Sequence, residues 1–595
     1  MKYYCNPMNL EYRYQFFETP EENGKLCKVS REAADPSLIL FKGKYYLFPS
    51  MTAGFYTSEE LVDWEFHKFK SDMPVYDYAP DVRAAGEYMY FSASKLDENC
   101  SLFRTKDPIC EPFEEIPGRF PFWDPNLFVD DDGRFYFYWG CSNMKPIYGV
   151  ELNPETMVPL GEPQIMFDSH EQERGYERNG ENHIPPKTEE EIEKEVQQIL
   201  QTIPEEMREP SKPMLYGYMG NAPYIEGAWM TKHQGRYYLQ YAIPGTQYNV
   251  YGDGVYVSDA PLGPFKPAGN NPYSYKPGGF ITGAGHGSTL EDKEGRFWHT
   301  STMRISKNHV FERRLGLWKA GIDADGELFC DQRYGDWPVS VESKVWEKPE
   351  WMLLSYKKEV LVSSGKGAQN AVDEDIRTCW KAESNQSGEW IQVDLGAETD
   401  VRAVQINFAD DGLELPPPEG AVFVERTSVS RYIDELVQPT RWILEGSVNG
   451  ECFFMLADKS QADTDYAHDF LVWEEEGIKI RFLRLTIIRL PYGQIPCISG
   501  FRVFGKGEGT APMQAQDVKA DFRGELDMNV SWTAKDVVGC NILWGYAPEK
   551  LYHSYMVFGK DDQTIGALVK DDPVYVRVDV FNEYGITEGE VQRVR

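Results

Sequence analysis

Three carboxylates and a histidine stand at nearly the same offset ahead of a recurring turn. Asp35 lies 8 residues before Gly43, and Asp124 lies 9 before Gly133. Glu226 lies 9 before Gly235, and His286 lies 9 before Gly295. Equal offsets in repeated units mean equivalent places in space, so these four side chains are expected to converge. Like charges brought together repel and each needs compensation; one carboxyl then keeps its proton while another stays ionised. That pair of states is what general acid and base catalysis requires. The structural alternative, aspartates scattered at strand starts, does not explain why all four share the offset. The second unit departs from the rule: its offset positions are Asp77 and Tyr78, with Asp81 closer to the turn.

The elements that must hold these residues are hairpins. Turns at Lys42-Gly43-Lys44, Ala85-Gly86-Glu87, Asp132-Gly133-Arg134, Gln234-Gly235-Arg236 and Glu294-Gly295-Arg296 are each flanked by β-branched or aromatic runs. Their glycines are 43, 47, 102 and 60 residues apart. A period near 40–50 residues is that of propeller blades, whose innermost strands run along a central channel. Second hairpins follow in most units, as at Gly54–Ser58 and Gly254–Ser258. The expected fold is all-β: a five-bladed β-propeller in residues 1–345, then two β-sandwich domains. The long gap holds an insertion, about 165–215. There Thr188-Glu189-Glu190-Glu191 is a capping box, and Ile192, Val196, Ile199, Leu200 and Ile203 follow at helical spacing until Pro204. This helix is either a lid over the channel mouth or packing against the propeller's side.

Length and charge narrow the rest. A chain of 595 residues exceeds one core. Its net charge of −34 repels phosphate backbones and anionic surfaces, so neither nucleic acid nor membrane is an expected partner. No apolar run approaches the roughly 18 residues that span a bilayer. Met1 to Phe17 lacks a basic segment leading into an apolar one. No signal peptide is therefore expected, and a cytoplasmic location with reduced thiols is. The ten cysteines include no C-x-x-C pair, so a zinc site of standard spacing is absent. Asn99-Cys100-Ser101 and Asn529-Val530-Ser531 match a glycosylation pattern that also arises by chance.

The first 345 residues resemble glycoside hydrolase family 43. The resemblance rests on Ala34-Asp35-Pro36-Ser37-Leu38-Ile39, on Trp123-Asp124-Pro125-Asn126-Leu127-Phe128 running into Asp130-Asp131-Asp132-Gly133-Arg134, on Ile225-Glu226-Gly227-Ala228-Trp229, and on Gly283-Ala284-Gly285-His286-Gly287-Ser288. Tyr78-Ala79-Pro80-Asp81-Val82 resembles the family's second-blade segment, with Tyr78 where the family commonly has Trp. The resemblance implies Asp35 as general base, Glu226 as general acid, and Asp124 as the group that orients the acid and raises its pKa. It implies a hydrated cation, commonly calcium, contacted by His286 beneath the sugar. Tyr78, Trp123 and Phe55 are candidates for stacking on the sugar face.

Residues 350–506 resemble a discoidin (coagulation factor type C) module, through Asn370–Trp380, Trp390–Gly396 and Ile498–Gly505. Such modules often hold a structural calcium ion, here expected near Asp373 and Asp375. After a Gly/Pro linker, residues 511–595 resemble a fibronectin type III domain, mainly through Val530-Ser531-Trp532.

The resemblance implies an inverting, exo-acting glycosidase that releases terminal furanose or pentose sugars from plant or microbial glycans. α-L-Arabinofuranosidase, β-xylosidase and β-D-galactofuranosidase activities share this scaffold. The alternatives are a retaining fructosidase-type propeller and a non-catalytic glycan-binding propeller. Fructosidase-type families place the nucleophile in Asn-Asp-Pro and the acid in Glu-Cys; here the contexts are Ala34-Asp35-Pro36 and Glu226-Gly227. All three acids precede residue 230, so residues 350–595 are expected to be dispensable for small substrates.

Overall fold

The computed structural model describes residues 2–18, 26–71, 73, 79–95, 98–183, 186–424, 431–474 and 476–595. Among these, residues 34–331 form five successive antiparallel sheets. Their first strands are Ala34–Phe41, Asp81–Ala85, Pro125–Val129, Ile225–His233 and Thr282–Glu291. The strands are apolar on both faces because sheet stacks upon sheet. In Lys44–Ser50, for example, Tyr45, Tyr46, Leu47 and Phe48 are all buried. All five turn glycines take positive φ, between 58° and 83°, as tight hairpin turns demand.

Each first strand is tied to the next by a side chain. Val82 N donates to Ser37 Oγ (3.4 Å) and Leu127 N to Asp81 Oδ2 (2.7 Å). Met230 N donates to Asn126 Oδ1 (2.8 Å), Trp229 Nε1 to Thr289 O (3.1 Å), and Leu38 N to Ser288 Oγ (2.9 Å). The ties run from the first sheet through to the fifth and back to the first, making a ring around an axis. Asp81 is one of these clasps. Burial pushes its pKa up to about 6, and Asn126 Nδ2 also donates to it (2.8 Å).

Among its described residues the insertion contains two α-helices where one was expected. Helix α1 (Glu189–Thr202) starts at the Thr188 capping box. Pro204 then caps helix α2 (Glu205–Met219), which runs through Pro210 and Pro213. The two form a hairpin that buries Val196, Leu200 and Leu215 between them. That shared apolar face outweighs the breaker signals of the prolines.

The chain ends are less separable than the linker signals imply. Strand Arg13–Glu18 pairs with Arg431–Ile433 and strand Cys27–Glu32 with Leu413–Leu415, and Arg431–Ile433 also pairs with Val422–Val424. One five-stranded sheet is therefore built from the N-terminus and the long loop of the discoidin-like region. Arg31, fully buried, meets Asp410 Oδ1 at 2.8 Å and Asp465 Oδ2 at 2.9 Å across this seam. Residues 352–506 otherwise form a nine-stranded sheet system, and residues 516–593 form a three-stranded and a five-stranded sheet. The last unit docks on the insertion, where Arg178 Nη2 meets Asp527 Oδ1 at 2.6 Å.

Candidate active site

The ring's axis opens into a cavity of about 360 Å³ lined by Asp35, Trp123, Asp124, Glu226 and His286, among others. The local backbone explains why these side chains reach it. Asp35, Asp124 and His286 have φ of 49°, 49° and 50°. The ladders slip beside three of the residues, between Ala34 and Ser37, between Glu226 and Trp229, and on both sides of Gly285. A bulge with one left-handed residue re-aims a side chain out of the strand's alternation. Asp and His tolerate that conformation better than most residues. In the fourth sheet the left-handed residue is Gly227 (φ 62°). A Cβ there would lie 2.7 Å from His286 Cγ, so only glycine lets the imidazole sit where it does.

Asp35 is built to stay ionised. Burial alone would raise its pKa, but Arg313 Nη1 at 3.3 Å, His286, and hydrogen bonds from Ser50 Oγ (2.7 Å) and Thr302 Oγ1 (3.5 Å) hold it below the usual carboxylate value. Asp124 has the opposite setting. Burial, with the charges of Glu226 and Asp35, pushes it well above the usual value, against the pull of His286. Carboxylate oxygens of Asp124 and Glu226 and the Cys141 sulfur all lie within 4.8 Å of one another. Glu226 Oε1 accepts from Tyr251 Oη (2.6 Å) and Oε2 from Cys141 Sγ (3.2 Å). His286 Nδ1 stands 3.5 Å from Asp35 Oδ1 and 3.8 Å from Asp124 Oδ2. Burial opposes its charge, yet the carboxylates around it raise its pKa.

The expected acid and base thus meet with His286 and Trp123 in one pocket. Phe55 is corrected. It is fully buried, stacked on Phe48 at 4.6 Å inside the first two sheets' core, and does not line this cavity. Its strand presents it to the neighbouring sheet rather than to the axis. Tyr78 lies outside the described residues. Cys141, Tyr251, Arg313 and Tyr224 were not singled out from the sequence. The first three contact the carboxylates, and Cys141, Arg313 and Tyr224 line the cavity. The helical hairpin contributes no residue to the lining. It leans on the rim instead, where Asn143 Nδ2 donates to Gly217 O (3.0 Å) and Tyr218 stacks beside Tyr224.

Calcium takes about six to eight oxygen ligands. His286 offers a nitrogen whose proton the neighbouring carboxylates favour, so it does not fit a cation's oxygen shell. The second expected calcium position is the loop at Asp373. Asp373 accepts from Asp375 N (3.0 Å) and Thr378 Oγ1 (2.7 Å), and burial pushes its pKa up to about 6.

The axial pocket thus sets an ionised carboxylate, Asp35, near a carboxyl held toward its protonated form, Asp124, the split of states that acid–base hydrolysis of a glycosidic bond uses. Residues 29–184 and 189–328 match the profile of Glycosyl hydrolases family 43, and residues 356–424 match that of the F5/8 type C domain. The chain contains a family 43 glycosyl hydrolase domain joined to an F5/8 type C domain. A β-D-galactofuranosidase of Aspergillus niger is 22% identical over 268 residues, which cover 39% of this chain and 62% of that enzyme. The chain thus spans less than two thirds of that relative. Xylosidase/arabinosidase 43A of Humicola insolens is 25% identical over 346 residues, covering 50% of this chain and 96% of that enzyme. Among solved structures, a thermostable family-43 glycoside hydrolase is 20% identical with a TM-score of 0.41, covering 57% of this chain and all of the other. A xylan β-1,4-xylosidase from Bacillus halodurans C-125 is 13% identical with a TM-score of 0.39, covering 99% of this chain and 97% of the other.

The Asp124 setting predicts a pH effect. Asp124→Asn removes the carboxyl that burial and the neighbouring charges of Glu226 and Asp35 push toward its protonated form, so the alkaline limb of kcat/KM is expected to move to lower pH. A pH–rate profile of the variant checks this; an unmoved limb would mean that Asp124 does not tune the acid.

Proposed function

We propose that this chain is an inverting, exo-acting glycoside hydrolase that releases terminal furanose or pentose sugars, of α-L-arabinofuranosidase or β-xylosidase type. The observation that carries the proposal is the split setting of one carboxyl cluster. Asp35 is held ionised by Arg313, while Asp124 beside Glu226 is held toward its protonated form. In this reading Asp35 takes a proton from water as the water attacks the anomeric carbon. Glu226 gives a proton to the leaving oxygen, and Asp124 and Tyr251 orient Glu226. Trp123 stacks on the sugar, and His286 bridges Asp35 and Asp124 below it. The five sheets are read as five blades. The two C-terminal units are read as β-sandwiches, the second of fibronectin type III kind.

The sugar assignment draws on the relatives, one named for xylose and arabinose and the other for galactofuranose. β-D-Galactofuranosidase activity is accordingly the second reading. A panel of aryl glycosides, read for release of the aryl group, separates the candidates.

Stereochemistry tests the mechanism. Water activated by Asp35 gives a sugar of opposite anomeric configuration, whereas a nucleophilic Asp35 gives retention through a glycosyl-enzyme. Proton NMR taken before mutarotation should show inversion. Furanose products re-equilibrate fast, so reaction in methanol is the companion measurement. A methyl glycoside of retained configuration would remove Asp35 from the base role.

A further inference from the structure

Ten cysteines are present, and two of them stand together at the seam between the propeller and the F5/8 type C domain. Strand Trp380–Lys381 pairs with strand Cys497–Lys506, with Lys381 opposite Cys497. Cys379, just before the first strand, therefore falls on the same side of the ladder as Cys497. Their sulfurs and a carboxylate oxygen of Asp411 lie within 4.8 Å of one another. Cys497 is buried and Cys379 is partly exposed. The propeller supplies a cation: Lys307 Nζ donates to Cys379 Sγ at 3.2 Å and meets Asp411 Oδ1 at 3.1 Å. Lys381 Nζ meets Asp411 Oδ2 at 2.7 Å, so the carboxylate is shared between two ammonium groups.

We propose that Cys379 and Cys497 are a redox-active dithiol, which low-molecular-weight disulfides oxidise to an intramolecular disulfide. Cys379 is the attacking sulfur, because it is the exposed member and carries the lysine contact. The hydrogen bond from Cys497 and the Lys307 ammonium lower its pKa to about 6, despite partial burial. Reactive cysteines are found in such electropositive, part-exposed settings. The exposed Cys110 is the contrast, since the neighbouring Asp107 raises its pKa.

The step balances as a thiol–disulfide exchange. The Cys379 thiolate attacks one sulfur of glutathione disulfide, forming a mixed disulfide and expelling one glutathione thiolate. Cys497 then loses its proton and attacks the Cys379 sulfur, forming the Cys379–Cys497 bond and expelling the second glutathione. The protein gives up two electrons and two protons, and one glutathione disulfide becomes two glutathione thiols. The consequence reaches the pocket's edge. Lys307 sits on the connection between strands Phe297–Arg304 and Arg313–Ile322, which also carries Val310, Phe311 and Arg313 to the cavity. Oxidation removes the thiolate that Lys307 holds and leaves it Asp411 as its ion-pair partner among the described residues.

The test uses the reduced full chain and two readouts. First, limiting iodoacetamide at pH 7 is followed by peptide mass spectrometry. Cys379 should be alkylated about tenfold faster than the exposed Cys110 and Cys452, and Lys307→Met should reduce that advantage. Second, the chain is treated with glutathione disulfide, quenched in acid with N-ethylmaleimide and digested without reductant. Wild type should give one cross-linked peptide pair joining Cys379 to Cys497, two hydrogens lighter than the reduced pair. Cys497→Ser should stop at a glutathione adduct on Cys379. Cys379 reacting no faster than Cys110 and Cys452, or a wild-type chain that stops at the adduct as Cys497→Ser does, would overturn the proposal.

Discussion

Glu226→Gln and Asp35→Asn are each expected to lower kcat on natural linkages by about 10²–10⁴-fold while leaving the fold intact. Neither change strains the backbone. Asn tolerates the left-handed conformation that Asp35 adopts, and Gln keeps the acceptor oxygen that Tyr251 uses. The two variants should differ on activated substrates. An aryl glycoside with an acidic phenol leaves without a proton, so Glu226→Gln should recover much of its rate there. Asp35→Asn should not, because the attacking water still needs its base. Steady-state kinetics on both substrate kinds, with melting temperature as a fold control, decides this. A variant with near wild-type turnover on a natural linkage loses its assigned role, and equal recovery by both would erase the distinction between acid and base.

Residues 1–345 alone are expected to be inactive, contrary to what the order of the acids along the sequence implies. The base is held by Arg313, whose guanidinium also meets Glu32 Oε1 at 2.8 Å. Glu32 Oε2 in turn meets Arg431 Nη1 at 3.3 Å, from the loop of the discoidin-like region. Glu32 and Arg431 are almost wholly enclosed. Removing one partner from a buried ionic cluster costs about 3–5 kcal/mol, because the other charge stays buried without compensation. Arg431→Met should therefore lower the melting temperature sharply, and the truncated chain, which loses Arg431, Asp410 and Asp465 together, should not fold. A soluble 1–345 chain that hydrolyses aryl glycosides at the full-length rate would show that the base needs none of these partners.

Much of the pocket was legible because its residues obey a repeat. A bulge with a left-handed residue recurs at one place in the first strand of three sheets, and its distance to the hairpin glycine is nearly constant. Counting back from Gly43, Gly133, Gly235 and Gly295 therefore finds Asp35, Asp124, Glu226 and His286. Cys141, Tyr251 and Arg313 share no such offset. Cys141 lies on a two-residue strand joined to the fourth sheet, Tyr251 precedes that sheet's third strand, and Arg313 opens the third strand of the fifth. Phe55 was misplaced because an aromatic residue in a doubly buried strand gives no sign of which neighbour it faces. Helix α2 was hidden by two prolines. The sheet shared by residues 13–32 and 413–433 could not be read at all: its pairing spans some 400 positions, and no local pattern encodes a partner that distant.

That shared sheet also orders events during synthesis. Arg13–Glu18 and Cys27–Glu32 leave the ribosome ahead of the propeller sheets, yet their outer neighbours are made only when residue 433 has been added. At about 5–20 residues per second, the interval is roughly 20–80 s. Throughout it Arg31 and Glu32 stand in water as charged groups on an unpaired edge, while the five propeller sheets emerge and close behind them. The nascent propeller is thus complete in sequence before its base is clamped, and its locking waits for residues made after all five sheets.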